Sequence, residues 1–224
     1  MHLKTNKRFN FLFYITLIII LSSINNYNFY NKNLFKIKKL EVTGFSNEKN
    51  IILKKEIKNI LGKNIIFIKK YYFKNLIDRN DIKELKVKKI YPNKIKITLI
   101  PAKPICIIET NHNVVLLGDN GKLLDAKIKQ DNLPIVSGSS NINDIYKLII
   151  LLMDSKYDYQ KIKTIIFFKS GRFDIENKNG TIIRFPIKYS EQIINRGFKL
   201  LKDKRFANSK IIDLRIKNKI INYE

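Results

Sequence analysis

Side chains able to do chemistry are sparse in this sequence. His2 and His112 are the only histidines, Cys106 is the only cysteine, and neither histidine has a ligand-spaced neighbour. A zinc site or a histidine-based triad therefore has no residue set to draw on. A lone cysteine forms no intrachain disulfide and leaves the redox compartment open. Two carboxylate pairs remain. Asp119 and Asp125 match no ligand-loop spacing, so Asp119, inside Asp119-Asn120-Gly121, is read as a turn residue. Asp174 and Glu176 lie two apart, which puts them on one face of a strand, and they are read as exposed charges rather than as an acid and base. No catalytic residue, cofactor or metal is predicted, and the chain is read as noncatalytic.

The charge balance is extreme: 224 residues carry a net +25. Clustered cations raise nucleic acid as a partner, since they neutralise phosphates and release counterions. Here 37 of the 44 basic residues are Lys and 7 are Arg, which argues for a chain-wide compositional bias. Arg is the residue that forks onto guanine edges and phosphates, so its scarcity weakens specific readout, and anionic lipid headgroups fit the lysines better.

Elements must hold whatever surface the chain uses. Residues 1–8 form a basic tail. An apolar run from Phe9 to Ile24 follows, and extension to Tyr30 gives an uncharged segment, 9–30, with Phe9 and Phe11 at one end and Tyr27, Phe29 and Tyr30 at the other. Aromatics at both ends suit the two membrane interfaces, so the segment is read as one transmembrane helix. A cleaved secretory signal is the competing reading, but Asn25, Asn26 and Tyr27 stand where a small-residue cleavage site would be. Lysines on both sides of the span leave the orientation unset by charge. A short basic tail before one apolar helix makes a cytoplasmic N-terminus and an exported remainder the expected arrangement.

Residues 34–102 read as strand, helix, helix, strand, strand. The first strand covers 35–43, with Ser46 or Asn47 capping the first helix and Gly62 ending it in a left-handed turn. A second helix is expected over 71–79, with Tyr72, Phe73, Leu76 and Ile77 inward. The stretch 82–108 holds a hairpin that turns at Tyr91-Pro92-Asn93, with a bulge or fraying at Lys88-Lys89, Ile95, Ile97 and Leu99 on one face, and Pro101 and Pro104 stopping its second strand. Residues 104–224 read as short strands between turns, with helices at 142–153 and from Ser190 to about Lys202. The last strands are expected at 211–216 and 219–223, and a terminal strand is often a sheet edge. The fold class is thus α+β: an N-terminal transmembrane helix, a β-α-α-β-β unit, and a mixed β domain with packed helices.

Several short motifs occur in a telling order: Val42-Thr43-Gly44, Gly62-Lys63-Asn64-Ile65-Ile66-Phe67-Ile68, Tyr91-Pro92-Asn93-Lys94-Ile95, Pro104, Asp119-Asn120-Gly121, Leu133-Pro134 with Gly138, and Asp213-Leu214-Arg215. In that order, behind one apolar helix, the chain resembles the FtsQ/DivIB family of bacterial cell-division proteins. It departs from the family at Pro101-Ala102, where a Glu-Arg pair is usual, and near 84–86, where an aromatic is absent. The resemblance implies a polypeptide-transport-associated (POTRA) domain at 34–102 and an FtsQ-type β domain at 104–224. It also implies a scaffold of the inner-membrane division machinery, concentrated at the division site, with periplasmic domains that bind FtsB and FtsL. FtsK, FtsW and FtsI complete the implied partner set, and the implied task is to recruit and regulate septal peptidoglycan synthesis. Carried over from the Asp213-Leu214-Arg215 motif, the implied partner-binding residues are Arg215, Ile216, Asn218, Lys219, Ile220, Ile221 and Tyr223. Augmentation of the last strand by FtsB would use them, with Arg215 meeting a partner carboxylate or pairing internally. Of Ile220 and Ile221, which face oppositely in a strand, one is expected in the core. Substitution at Ile220 or Tyr223 is expected to remove FtsB binding without unfolding the domain.

Two other classes are weighed against the scaffold. A membrane-anchored envelope enzyme acting on peptidoglycan would need a nucleophile, a carboxylate cleft or a metal set, and no motif supplies one. A basic nucleic-acid-binding protein has no evident use for the apolar leader.

Overall fold

The computed structural model of the chain describes residues 7–23, 33–109, 113–125, 132–216 and 219–223. A first helix, α1, runs over Lys7–Ser23. At about 1.5 Å per residue it rises roughly 26 Å. Among the described residues no helix is long and apolar enough to cross a membrane. Residues 24–30 of the expected span lie outside the described residues. Every side chain from Phe9 to Ser22 is exposed.

Two compact units divide the chain, Met1–Lys74 with Lys86–Thr98 and Asn75–Leu85 with Leu99–Glu224. The first holds a three-stranded sheet in the order β1-β3-β2, built from β1 (Lys39–Thr43), β2 (Ile82–Ile90) and β3 (Lys94–Pro101). β1 and β3 run parallel, aligning Leu40 with Ile95 and Val42 with Ile97, so that their apolar sides fall on one face. Those four residues are buried with Ile37, Leu53, Ile57, Ile60, Ile65 and Phe73. Ile95, Ile97 and Leu99 are buried alternately, as their spacing predicts. β2 runs unbroken to Ile90, so the expected interruption at Lys88-Lys89 does not end the strand.

Helix α2 spans Asn47–Glu56, and here the expected cap is replaced. Ser46 occupies the N-cap position without a side-chain bond. Instead the Asn50 carboxamide reaches back, accepting from the Phe45 amide at 3.2 Å and donating to the Phe45 carbonyl at 2.8 Å. The helix stops before Gly62: a 3-10 turn at Lys58–Ile60 intervenes, and Gly62 then takes φ +79. The second expected helix, 71–79, is a 3-10 turn at Lys70–Phe73 followed by the short α3 (Lys74–Ile77), and another 3-10 turn at Ile65–Phe67 precedes it. The expected first strand is shorter as well, since residues 33–35 form a 3-10 turn.

Among the described residues of the second unit nine strands form one sheet. They are β4 (Pro104–Glu109), β5 (Val114–Gly118), β6 (Leu123–Leu124), β7 (Ile135–Gly138), β8 (Ile162–Phe167), β9 (Phe173–Asn177), β10 (Ile182–Arg184), β11 (Ile211–Asp213) and β12 (Ile221–Tyr223). Their order is β12-β11-β10-β9-β8-β7-β4-β5-β6. Helices α4 (Ile142–Met153) and α5 (Glu191–Leu200) sink Ile145, Leu148, Ile149, Leu152, Ile194 and Phe198 into the core of that sheet. Ser190 caps α5 as its sequence predicts, accepting from the Ile193 amide. Phe185 stacks on Phe173 at 4.9 Å, and Gly197 lets α5 approach, because a Cβ there would stand 2.8 Å from the Phe185 ring. At Gly138 the backbone takes φ +97, and a Cβ would meet the Phe167 carbonyl oxygen at 1.9 Å, so only glycine ends β7.

The turn after β5 behaves as its residues predict, with Gly121 at φ +75. Asp119 also accepts from the Lys103 amide at 2.9 Å and pairs with Lys83 at 2.8 Å. Among the described residues no group of three or more His, Cys, Asp or Glu side chains gathers as a metal site would require.

Candidate functional site

The sheet of the second unit ends on β12. It pairs antiparallel with β11 alone, Ile211 with Tyr223, Ile212 with Asn222 and Asp213 with Ile221. An antiparallel edge strand turns part of its amides and carbonyls away from its one neighbour. Among the described residues no strand lies outside it. Ile221, Asn222 and Tyr223 are all exposed.

Alternation sorts the predicted partner residues. Ile212 is fully buried, so Asn222 opposite it shares the core side, and Ile220, two residues back, is partly buried against that core. Ile221 and Tyr223 take the other face, with Asp213 and Ile211. The expectation that one of Ile220 and Ile221 serves the core is met by Ile220. Substitution of Ile220 is therefore expected to disturb packing as well as any partner contact. Ile216 and Lys219 are exposed beside the edge, and the Lys219 amide donates to the Ile216 carbonyl at 3.1 Å. Asn218 lies outside the described residues.

Arg215 is already engaged. Its backbone amide donates to Asp213 Oδ1 at 3.0 Å, and its Nε reaches both carboxylate oxygens at 2.9 Å. Of the two roles read for Arg215, the internal pair is the one formed. The Asp213 side chain is buried, while the guanidinium remains about one-third exposed. Hydrogen bonds from Arg215 hold the Asp213 carboxyl below the usual carboxylate range, and the same pairing raises Arg215. A carboxylate buried beside a cation is stabilised in its charged form, whereas burial alone would favour the neutral acid.

Asp213 belongs to a charged row that residue-by-residue reading missed. Arg184 on β10 lies beside Asp213 in the parallel pairing and beside Asp174 in the antiparallel one. Asp174, Arg184 and Asp213 therefore cross three adjacent strands on the face away from the main core, ending at Ile221. Asp174 is buried, a correction to its reading as an exposed charge. Its Oδ2 is 3.6 Å from Arg184 Nε, too long for a good hydrogen bond. Asp174 Oδ1 and Arg172 Nε are buried without partners among the described residues. Burial pushes the Asp174 carboxyl up, against the opposing pull of Arg184, Arg172 and Arg215. Glu176, on the same strand face, pairs with Lys163 at 2.8 Å. Glu176 is thus held by its own cation, whereas Asp174 is left with a long, poorly satisfied contact to Arg184.

A signal for this row was present. Phe173-Asp174-Ile175, Ile183-Arg184-Phe185 and Ile212-Asp213-Leu214 each place one charge between two buried apolar residues. Three such triplets of alternating sign in neighbouring strands mark a charged row on a two-sided sheet.

Known proteins share this unit. Residues 106–215 match the family profile described as Cell division protein FtsQ/DivIB, C-terminal, a stretch that takes in the charged row and stops at Arg215, before β12. Cell division protein FtsQ of Rickettsia conorii is 28% identical over 202 residues, covering 87% of this chain and 74% of that protein. The protein of the same name from Rickettsia typhi is 27% identical over 202 residues, covering 87% and 75%. A solved structure, the major extracytoplasmic domain of the trans isomer of DivIB from Geobacillus stearothermophilus, overlaps at a TM-score of 0.33 and 14% identity. It covers 46% of this chain and 87% of that one, too loose an overlap to speak to the fold. Residues 106–215 thus carry the C-terminal domain of the FtsQ/DivIB family of cell-division proteins, and along most of its length the chain is similar to proteins named cell division protein FtsQ.

Proposed function

We propose that this chain is a noncatalytic scaffold of the division machinery that offers the free edge of β12 to FtsB and forms a complex with FtsB and FtsL. The observation that carries this reading is the position of β12 at the end of the sheet with its three side chains exposed. Strand augmentation draws affinity from edge amides and carbonyls and selectivity from alternating side chains, here Ile221 and Tyr223. Arg215, partly exposed and close enough to Tyr223 to feel its phenol, would meet a partner carboxylate without leaving Asp213. Ile216 and Lys219 flank the strand as secondary contacts, Asn218 is carried over as a further contact from the family motif, and Ile220 braces the strand from the core side.

The rest of the reading follows the family. Residues 34–102 act as a POTRA domain and residues 104–224 as the β domain, recruiting the septal peptidoglycan synthesis machinery, with FtsK, FtsW and FtsI as further partners. Residues 9–30 anchor the chain in the inner membrane as one span, with the N-terminus cytoplasmic and the domains periplasmic at the division site. Apolar side chains exposed all around α1 support this placement, because a helix hydrophobic on every side is stable only when buried in protein or lipid.

The test is a binding titration of the full chain with the soluble segment of FtsB. Ile221→Lys and Tyr223→Glu should each weaken binding at least tenfold while leaving the unfolding midpoint unchanged. Affinity equal to that of the unaltered chain would remove β12 as the docking strand.

A further inference from the structure

We infer that residues 63–74 form a binding surface for anionic phospholipid headgroups, separate in sequence from the β12 edge. Between Glu56 and Asp78 the chain carries five lysines and no acid. The two 3-10 turns in this stretch divide its apolar side chains between inside and outside. Ile65, Ile68 and Phe73 are buried, while Ile66, Phe67 and Tyr71 are 49%, 66% and 63% exposed. Large apolar side chains left in water beside one another mark a surface that has a partner.

The polar part of the same stretch is a cluster of donors. Lys63 Nζ sits 4.5 Å from the centre of the Tyr72 ring, and the Tyr71 and Tyr72 rings stack at 4.1 Å. The stacked Tyr71 side chain, with Lys63 and Lys69 close by, lowers the Tyr72 phenol below its usual range. Among the described residues no carboxylate forms an ion pair with Lys63, Lys69, Lys70 or Lys74. Ammonium and phenol groups converging without a carboxylate suit phosphate oxygens. An acidic protein would satisfy the lysines and leave Ile66 and Phe67 in water. A bilayer surface takes both, phosphates on the cations and apolar side chains at the acyl boundary.

The inference rests on the membrane anchor proposed above only for the supply of lipid, and the experiment separates the two. The full chain with Lys70→Cys is labelled with an environment-sensitive fluorophore. Native Cys106 stays unlabelled because it is buried and its thiol is pushed up to about 12. The labelled chain is added to vesicles of neutral phosphatidylcholine, or of phosphatidylcholine with phosphatidylglycerol, each containing a headgroup-region quencher. Quenching on the anionic vesicles alone is expected, falling to the neutral-vesicle level in Lys63→Glu/Lys69→Glu and reduced in Phe67→Ser. A label at the exposed Ser170 should stay bright. Equal quenching on both vesicle types, equal quenching at Ser170, or none on either would overturn the inference. So would capture of a polyglutamate peptide with the label unmoved on anionic vesicles, which would assign the surface to an acidic protein. Failure of the chain to float with neutral vesicles would instead count against the anchor, while quenching on anionic vesicles still reads headgroup binding.

Discussion

Removing the Asp213 carboxylate should loosen the end of the sheet from which β12 hangs, and the structure sets the scale. Asp213 is buried and accepts from the Arg215 amide and guanidinium, with Nε at 2.9 Å from both oxygens. A charge-assisted hydrogen bond contributes about 1.5–3 kcal/mol when sheltered, but Arg215 is about one-third exposed and solvent discounts its share. Asp213→Ala also strips Arg184 of a neighbouring counter-charge, so a total loss of about 2–3 kcal/mol is expected. Arg215→Ala should cost about 1–2 kcal/mol, and the double variant should reveal a coupling of about 1–2 kcal/mol. Denaturant unfolding of the four proteins at pH 7 measures it. The pH dependence has a fixed sign. The folded Asp213 carboxyl is held below its unfolded value, so its contribution is complete above the unfolded value of about 4 and fades as pH falls through the lower folded value. The coupling should therefore be the same at pH 7 and at about pH 5.5 and shrink only in stronger acid. A coupling within experimental error of zero at pH 7 would refute the role given to this pair.

Other outcomes follow from the same coordinates. Asp174→Asn should stabilise the chain at pH 7 by on the order of 1 kcal/mol, because it removes a buried anion with an unpartnered oxygen. Since burial raises the folded Asp174 carboxyl, that advantage should diminish as pH falls and the native acid becomes neutral, readable as converging unfolding midpoints. Gly138→Ala should lower stability by about 3 kcal/mol or more, since its Cβ would stand 1.9 Å from the Phe167 carbonyl oxygen at φ +97, and the thermal midpoint reports it. Cys106 should resist maleimide at neutral pH in the folded chain and react once denatured, because burial pushes its thiol to about 12.

Much of the architecture was legible where a period was unambiguous. Ile95, Ile97 and Leu99, then Ile145, Leu148, Ile149 and Leu152 on α4, and Ile194 with Phe198 on α5 are buried as their spacing requires. Glycine turns at Gly62, Gly121 and Gly138 were legible because each takes a positive φ. Less legible were features that depend on a neighbour distant in sequence. Asn50, not Ser46, secures the start of α2, a choice between two polar residues within one turn that composition does not settle. The segment over 70–77 opens in 3-10 geometry at Lys70–Phe73 and becomes α-helical only at Lys74–Ile77, burying Phe73 and Leu76. Asp174 reads as an exposed charge until strand order brings Arg184 beside it, and strand order is a nonlocal property. The terminal edge was legible from chain order alone, whereas the burial of Ile220 and the pairing of Arg215 required the register between β11 and β12.

The most direct test of the scaffold reading is amide hydrogen exchange at Ile221, Asn222 and Tyr223 in the full chain, with and without the soluble FtsB segment. Strand addition predicts slower exchange by tenfold or more at one or more of these amides on binding, with little change at the distant β5 and β6. Binding that leaves all three amides exchanging as before, while protecting another surface, would contradict it.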